Sequence, residues 1–261
     1  MSFSPSDHTF VVCAYRESPY LEACVRSVIA QGSRAAIATS TPCAHISAVA
    51  EEYGLPVFVN EGEAGIAGDW NFALSCASTP LVTLAHQDDI YKETYLSRML
   101  AAMNKARNPI LFSSDYGELR GTEEVTANRL LTIKKILRLP MRLAPGTRAG
   151  KRLSLAFGDS ICCPSVTYVR EIILAHPFAS GLRAGLDWQK WEELSRLPGE
   201  FVYCPEPLML HRIHAGSETS NVIGDTGRMA EDYAMFCRFH GKPVAKLLAK
   251  LYSASEKSNE L

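Results

Sequence analysis

Two adjacent carboxylates, Asp88 and Asp89, follow the apolar run Leu81-Val82-Thr83-Leu84-Ala85, with only His86 and Gln87 between. Ionised side by side they repel, so placing them together is costly unless a cation or hydrogen bonds compensate. Oxygen ligands of this kind suit Mg²⁺ or Mn²⁺, which take one or two protein carboxylates and complete their shells from water and phosphate oxygens. The substrate would then carry phosphates. The alternative is that the pair caps a helix beginning near Lys92 to Tyr95, and the surrounding elements must decide.

Those elements read as repeated strand-helix steps. Phe10 to Ala14 is a short apolar run suited to a buried strand, and Ser18-Pro19 opens a helix in which Leu21, Cys24, Val25, Val28 and Ile29 form one stripe, closed by Gln31-Gly32. Ala35 to Thr39 reads as the next strand. Ile46, Val49, Ala50 and Tyr53 make the next helical stripe, and Pro56 to Val59 a third strand. Three such steps imply a parallel sheet in an α/β fold. A glycine-punctuated loop leads to a helix expected from about Asp69, and Leu81 to Ala85 reads as a fully buried central strand. In open α/β sheets ligands gather beyond the carboxyl ends of the strands, where Asp88 and Asp89 stand.

After Asp115 the regularity weakens. Ser165 to Arg170 and Phe201 to Cys204 read as strands, Trp188 to Leu197 as a helix, and the chain from about Thr226 as a helical tail. From Val125 to Gly158 there are eight Lys or Arg residues and no acid. The stretch from Arg129 to Arg152 is either a solvated loop or an element that meets a membrane surface or an acceptor.

With 261 residues, 47 % of them hydrophobic and 21 % charged, the chain can bury one substantial core. The net charge of −1 gives no whole-molecule reason to expect nucleic-acid binding, so any anion site is local. Met1 to His8 lacks the features of a secretory signal and no long apolar segment follows, so a cytoplasmic protein is expected. The eight cysteines include no C-x-x-C pair and read as reduced, mostly buried thiols, with no zinc site. Gly62, Gly65 and Gly68 are spaced G-x-x-G-x-x-G after the third strand, which is the wrong spacing and place for a dinucleotide fingerprint. Trp70 and Trp191 read as core residues rather than sugar platforms.

Val12-Cys13-Ala14-Tyr15-Arg16-Glu17-Ser18-Pro19-Tyr20-Leu21, followed by Ser27-Val28-Ile29-Ala30-Gln31, resembles the opening strand, loop and helix of family-2 glycosyltransferases. Gly65 to Leu74 and His86-Gln87-Asp88-Asp89-Ile90-Tyr91 resemble that family's donor-binding half and acidic metal motif, in order and spacing across about the first 115 residues. A weaker likeness continues at Gly185 to Trp191, Pro205 to Leu208 and Arg212-Ile213-His214-Ala215-Gly216-Ser217, similar to the family's acceptor-side acid and closing segment.

The resemblance implies an α/β GT-A fold with a mostly parallel sheet flanked by helices. It implies one domain over residues 1–261, with a nucleotide-sugar-binding half at 1–115, an acceptor-side half at 116–225 and a helical tail at 226–261. Ala14, Tyr15, Glu17, Ser40, Asp69, Asn71 and Asp88 would surround the donor. Asp88, Asp89 and His214, with His86 as a further candidate, would hold Mg²⁺ or Mn²⁺, and Asp187 would be the general base. His214 could instead contact the diphosphate directly or be bonded structurally. The chain departs from the family pattern at Ser40, where an acid is common, at His86, often Asp, and at Leu186, where an acid usually precedes the base.

The implied activity is inverting transfer of a sugar from a UDP- or dTDP-linked donor to a glycan or lipid-linked acceptor, for cell-surface polysaccharide, with peripheral contact at the inner membrane face and no nucleic-acid partner. Without the resemblance, the Asp pair would also suit a metal-dependent nucleotidyltransferase or phosphohydrolase. The three departures would suit a non-catalytic nucleotide-sugar binder.

Overall fold

The computed structural model describes residues 2–63, 65–182, 184–214 and 226–257. The opening steps form as their apolar spacing requires. Strand β1 (His8–Ala14) leads to helix α1 (Leu21–Ile29), β2 (Arg34–Thr39) to α2 (Ala44–Glu52), and β3 (Val57–Val59) through α3 (Ile66–Cys76) to β4 (Leu81–His86). β1 is flanked by β2 and β4, both parallel to it, and β3 pairs in parallel with β2. Alternate side chains of β1 enter two separate cores: Phe10 and Val12 pack with α1 and α2, and Val11 packs with α3 on the opposite face.

Helix α3 begins three residues before the expected Asp69. Gly65 stands just ahead of it with φ +103°, a conformation that L side chains rarely adopt, and Gly68 passes so close to the Glu63 carbonyl oxygen that an added Cβ would sit 2.1 Å from it. These glycines serve a tight helix entry.

Beyond β4 the chain forms β5 (Ile90–Tyr91), α4 (Tyr95–Met103), β6 (Pro109–Arg120), β7 (Glu123–Val125), α5 (Arg129–Leu137), α6 (Leu139–Leu143) and α7 (Arg148–Leu153). Then come β8 (Thr167–Val169), α8 (Arg170–Ala175), α9 (Leu186–Leu194), β9 (Glu200–Ile213), α10 (Thr226–Cys237) and α11 (Lys242–Lys257). The strands lie in one sheet in the order β3-β2-β1-β4-β8-β6-β9-β5, with β7 paired to β6. The sheet is mostly parallel. β8 is antiparallel to both its neighbours, β5 to β9 and β7 to β6.

β9 runs far past the expected end at Cys204. Pro205-Glu206-Pro207 interrupts the pattern because proline gives no ladder N–H, yet the strand resumes through a bulge: Cys204 lies opposite Ser114 of β6, and Pro207 opposite the next residue, Asp115. Leu208, Met209 and Leu210 are then buried, and Leu210 pairs with Ile90 of β5. This extension carries the end of β9 to the turn that holds Asp88 and Asp89.

The basic segment is helical rather than a solvated loop. Arg138 is 1 % exposed, pairs with Asp115 at 2.8 Å and donates to the Ser114 carbonyl at 2.9 Å. Lys151, also buried, donates to the carbonyls of Leu197 and Gly199, and Arg152 pairs with the buried Glu192. Part of its charge is therefore internal, neutralised by acids and carbonyls of neighbouring elements. Trp188 and Trp191 of α9 are buried, Trp191 stacked 5.8 Å from Tyr168. All eight cysteines are free thiols, three buried and five half-buried.

Candidate active site

The chain leaves β1 through a sharp turn. Ala14 is buried, Tyr15 and Glu17 are exposed, and Arg16 takes φ +56°, a left-handed conformation uncommon outside glycine. Two contacts hold this turn from other loops. Gln87 forms a pair of hydrogen bonds with the Tyr15 backbone, accepting its N–H at 2.9 Å and donating to its carbonyl at 3.1 Å, and Thr41 accepts the Arg16 N–H at 2.6 Å. The Tyr15 ring, with the Arg16 guanidinium 4.9 Å from its centroid, lies at the rim of the sheet's carboxyl edge. Gln87, which sequence reasoning passed over beside the acids, couples β1 to β4.

At the neighbouring strand ends the Asp69 carboxylate accepts from Ser40 at 2.9 Å and from the Asn60 amide at 2.8 Å. A carboxylate therefore still stands at the end of β2, brought by α3. Asn71, two residues further, is occupied otherwise: its amide donates to the Phe178 carbonyl at 2.9 Å and its oxygen accepts the Phe178 N–H at 2.8 Å. It straps that loop to α3 instead of facing the Ser40–Asp69 group. Trp70 stacks 5.3 Å from His86 and meets Phe178 edge-on, as a half-buried wedge under the site.

Asp88 and Asp89 diverge. Asp89 is fully buried, and its Oδ1 accepts from His211 Nδ1 at 3.0 Å and from the Arg212 N–H at 2.9 Å, so it locks β9 to the turn. Burial alone would lower the His211 pKa, but the Asp89 charge and hydrogen bond, with Asp88 beyond, raise it above the ordinary histidine value. Asp88 Oδ2 accepts from His214 Nε2 at 2.9 Å, both side chains being about one-fifth exposed. Burial would raise the Asp88 pKa; the His214 bond and the nearby His86 and His211 outweigh it and hold the carboxyl below its usual value. Arg212 donates to the Asp88 carbonyl at 2.8 Å and lies over Tyr20, whose ring is 4.9 Å from His214. Ala215 to Ser217, the rest of the closing segment, lie outside the described residues.

Among the described residues no three His, Cys, Asp or Glu side chains converge into a ready-made metal cage. Asp88 instead offers one carboxylate at a partly open edge with the His214 imidazole against it, which fits a divalent cation taking its other ligands from water and phosphate. Asp89, the second expected ligand, is turned inward, and its Oδ2 is buried without a hydrogen bond, as is Nε2 of His86. Asp89 is on this geometry a positioning residue for β9.

A second acidic group was not anticipated. Asp159, the first acid after the basic segment, stands near Asp187 at the start of α9. Burial, then the Asp187 charge, push Asp159 well above the usual carboxylate range, with Lys134 of α5 opposing. Its Oδ1 accepts the Ile161 N–H at 3.3 Å, and Asp187 Oδ1 accepts the Trp188 N–H at 2.8 Å. The buried Cys162 thiol is raised mainly by burial, with Asp89, Asp159 and Asp187 adding to the shift and Lys134 opposing it. The sequence signal for Asp159 was available: it ends a long run without any acid. Among the described residues no helix is long and apolar enough to cross a membrane.

The model of the glycosyl transferase family 2 matches residues 9–174. No curated protein matches the chain. Among solved structures, the chain is similar to the mannosyltransferase PcManGT of Pyrobaculum calidifontis in complex with GDP-Man and Mn²⁺, at 12 % identity over 98 % of this chain and 76 % of that one, with a TM-score of 0.67. It is similar to S. aureus TarS 1–349 in complex with UDP-GlcNAc, at 12 % identity over 97 % and 73 %, TM-score 0.64. It is also similar to the glucosyl-3-phosphoglycerate synthase of Mycobacterium tuberculosis in complex with Mn²⁺, UDP and glucosyl-3-phosphoglycerate, at 15 % identity over 89 % and 80 %, TM-score 0.58. At these identities the likeness establishes the GT-A fold.

Proposed function

From the membership of this chain in glycosyltransferase family 2, we propose that it transfers a sugar, with inversion, from a UDP- or dTDP-linked donor to a hydroxyl of a glycan or lipid-linked acceptor in cell-surface polysaccharide synthesis, working at the inner membrane face. The observation that carries the donor site is the Asp88–His214 pair, two residues 126 positions apart joined at 2.9 Å at the open end of β4. The nucleotide lies over the Tyr15 turn, with the Ser40–Asp69–Asn60 group at its base and ribose. A Mg²⁺ or Mn²⁺ ion held by Asp88 and His214 would, when bound, neutralise charge on the leaving diphosphate.

Asp187 is the general base. Its carboxylate is oriented by the Trp188 N–H, and it takes the proton of the attacking acceptor hydroxyl as the bond to the anomeric carbon forms. Attack opposite the diphosphate gives inversion. The partly buried setting of Asp187 limits the competing attack by water.

Binding to the native state alone raises apparent stability, so thermal unfolding with UDP, GDP or dTDP, with and without Mn²⁺, tests the donor site. Metal-dependent stabilisation that Asp88→Ala abolishes supports the proposal and names the base. No stabilisation by any nucleoside diphosphate would overturn it. A fully bound donor with no turnover by wild type towards any acceptor would leave a binding protein in place of an enzyme.

A further inference from the structure

Helix α11 (Lys242–Lys257) has two apolar faces. One is spent in the core: Ala245 and Ala249 are buried, and Tyr252 packs 5.8 Å from both Trp188 and Phe236. The other faces outward, with Val244 at 49 %, Leu247 at 59 % and Leu251 at 60 % exposure, spaced i, i+3, i+7 on a single stripe. Beside that stripe runs a second, Lys242, Lys246 and Lys250, at i, i+4, i+8, all exposed, and no acid occurs from Lys242 to Ser255. Other exposed apolar side chains lie near the approach to α11: Phe157 is 47 % exposed and its ring lies 5.3 Å from His240, two residues before α11, and Leu153 is 51 % exposed.

We propose that this face docks on an anionic lipid bilayer, with Leu247 and Leu251 inserted at the headgroup boundary and Lys246 and Lys250 against the phosphates. A row of exposed leucines beside a row of lysines is the arrangement that lets an interfacial helix bury apolar side chains while its ammonium groups stay at the charged surface. Charge complementarity selects this occupant over a second copy. A second copy would bring three more ammonium groups to the same contact and no acid from this helix stretch to pair them, whereas an anionic surface satisfies both rows. The chain as a whole is nearly neutral, so attraction to such a surface must come from a local patch. The inference does not depend on the donor site.

The test is sedimentation of the full chain with vesicles of phosphatidylcholine alone or mixed with phosphatidylglycerol. Wild type is expected to pellet with the mixed vesicles only, and less as salt is raised. Each lysine near an anionic surface is worth about fivefold in partitioning, so Lys246→Gln/Lys250→Gln should weaken binding about 25-fold, and Leu247→Glu/Leu251→Glu should lose it. All four positions are exposed, and circular dichroism together with nucleoside-diphosphate stabilisation checks that each variant is folded with its donor site intact. Failure of wild type to bind the mixed vesicles at low salt would overturn the inference. So would binding unchanged in both variants, or a dimer in sedimentation velocity that Leu247→Glu/Leu251→Glu dissolves.

Discussion

The Asp69 carboxylate accepts the Ser40 hydroxyl at 2.9 Å, so an acid reaches the end of β2 from helix α3 although residue 40 is not one. Asn60 from the end of β3 completes the group. Three loops thus meet on one carboxylate, in the place proposed for the nucleotide.

If that carboxylate contacts the nucleotide, Asp69→Ala should weaken UDP or dTDP binding by about 2 kcal/mol, the worth of a hydrogen bond to a charged group, or about thirtyfold. Ser40→Ala should cost only about 1 kcal/mol. Titration calorimetry on both variants decides, and equal losses would count against Asp69 as the contacting group.

The two adjacent acids should separate in mutagenesis. Asp88 is partly exposed, and its loss should remove metal-dependent nucleotide stabilisation with little change in the unliganded protein. Asp89 is fully buried against His211 and the Arg212 N–H. Asp89→Ala leaves those donors without their acceptor, at about 3 kcal/mol, or a fall in Tm of about 6–12 °C for a protein of this size. A stable Asp89→Ala protein would refute its role as the lock on β9.

The raised pKa of Asp159 makes stability depend on pH. Its folded pKa is raised, by burial first and the Asp187 charge second, so its contribution is fully present below the unfolded carboxylate pKa of about 3.9 and is lost as pH rises through the folded value. Wild type should therefore lose Tm with rising pH across that window. Asp159→Asn, which cannot ionise, should show a flatter profile. Matching profiles in the two proteins would mean that Asp159 is already ionised. In turnover, Asp187→Asn should cost about 10²–10⁴-fold, whereas Asp159→Asn should retain most of the rate.

Local pattern was enough for the first half of the fold. The stripes of α1 and α2, the short apolar strands and their glycine stops are consequences of 3.6- and 2-residue periods, which need no knowledge of distant chain. Asp115 marks where that method ran out. β6 passes straight through it, yet Asp115, Glu118 and two serines are buried polar residues in that strand. Their cost is met by partners far away in sequence, among them Arg138 and Tyr203 for Asp115, so the strand has no clean apolar signature. The double proline at 205 and 207 concealed the rest of β9 for a similar reason: the bulge that admits it depends on the register with β6.

The sequence by itself determined the family, the α/β class, the succession of the first four strands along the chain and the position of Asp88 at a strand's carboxyl end, because these follow from motif order and short-range periodicity. Only the tertiary structure decided that Asp89 faces inward while Asp88 meets His214, that Asn71 straps the Phe178 loop, and that Asp159 comes near Asp187. Each of those outcomes is a contact across 28 to 126 residues. Such contacts are set by strand register and by burial, which fix which way a side chain turns and which ionised groups must find partners.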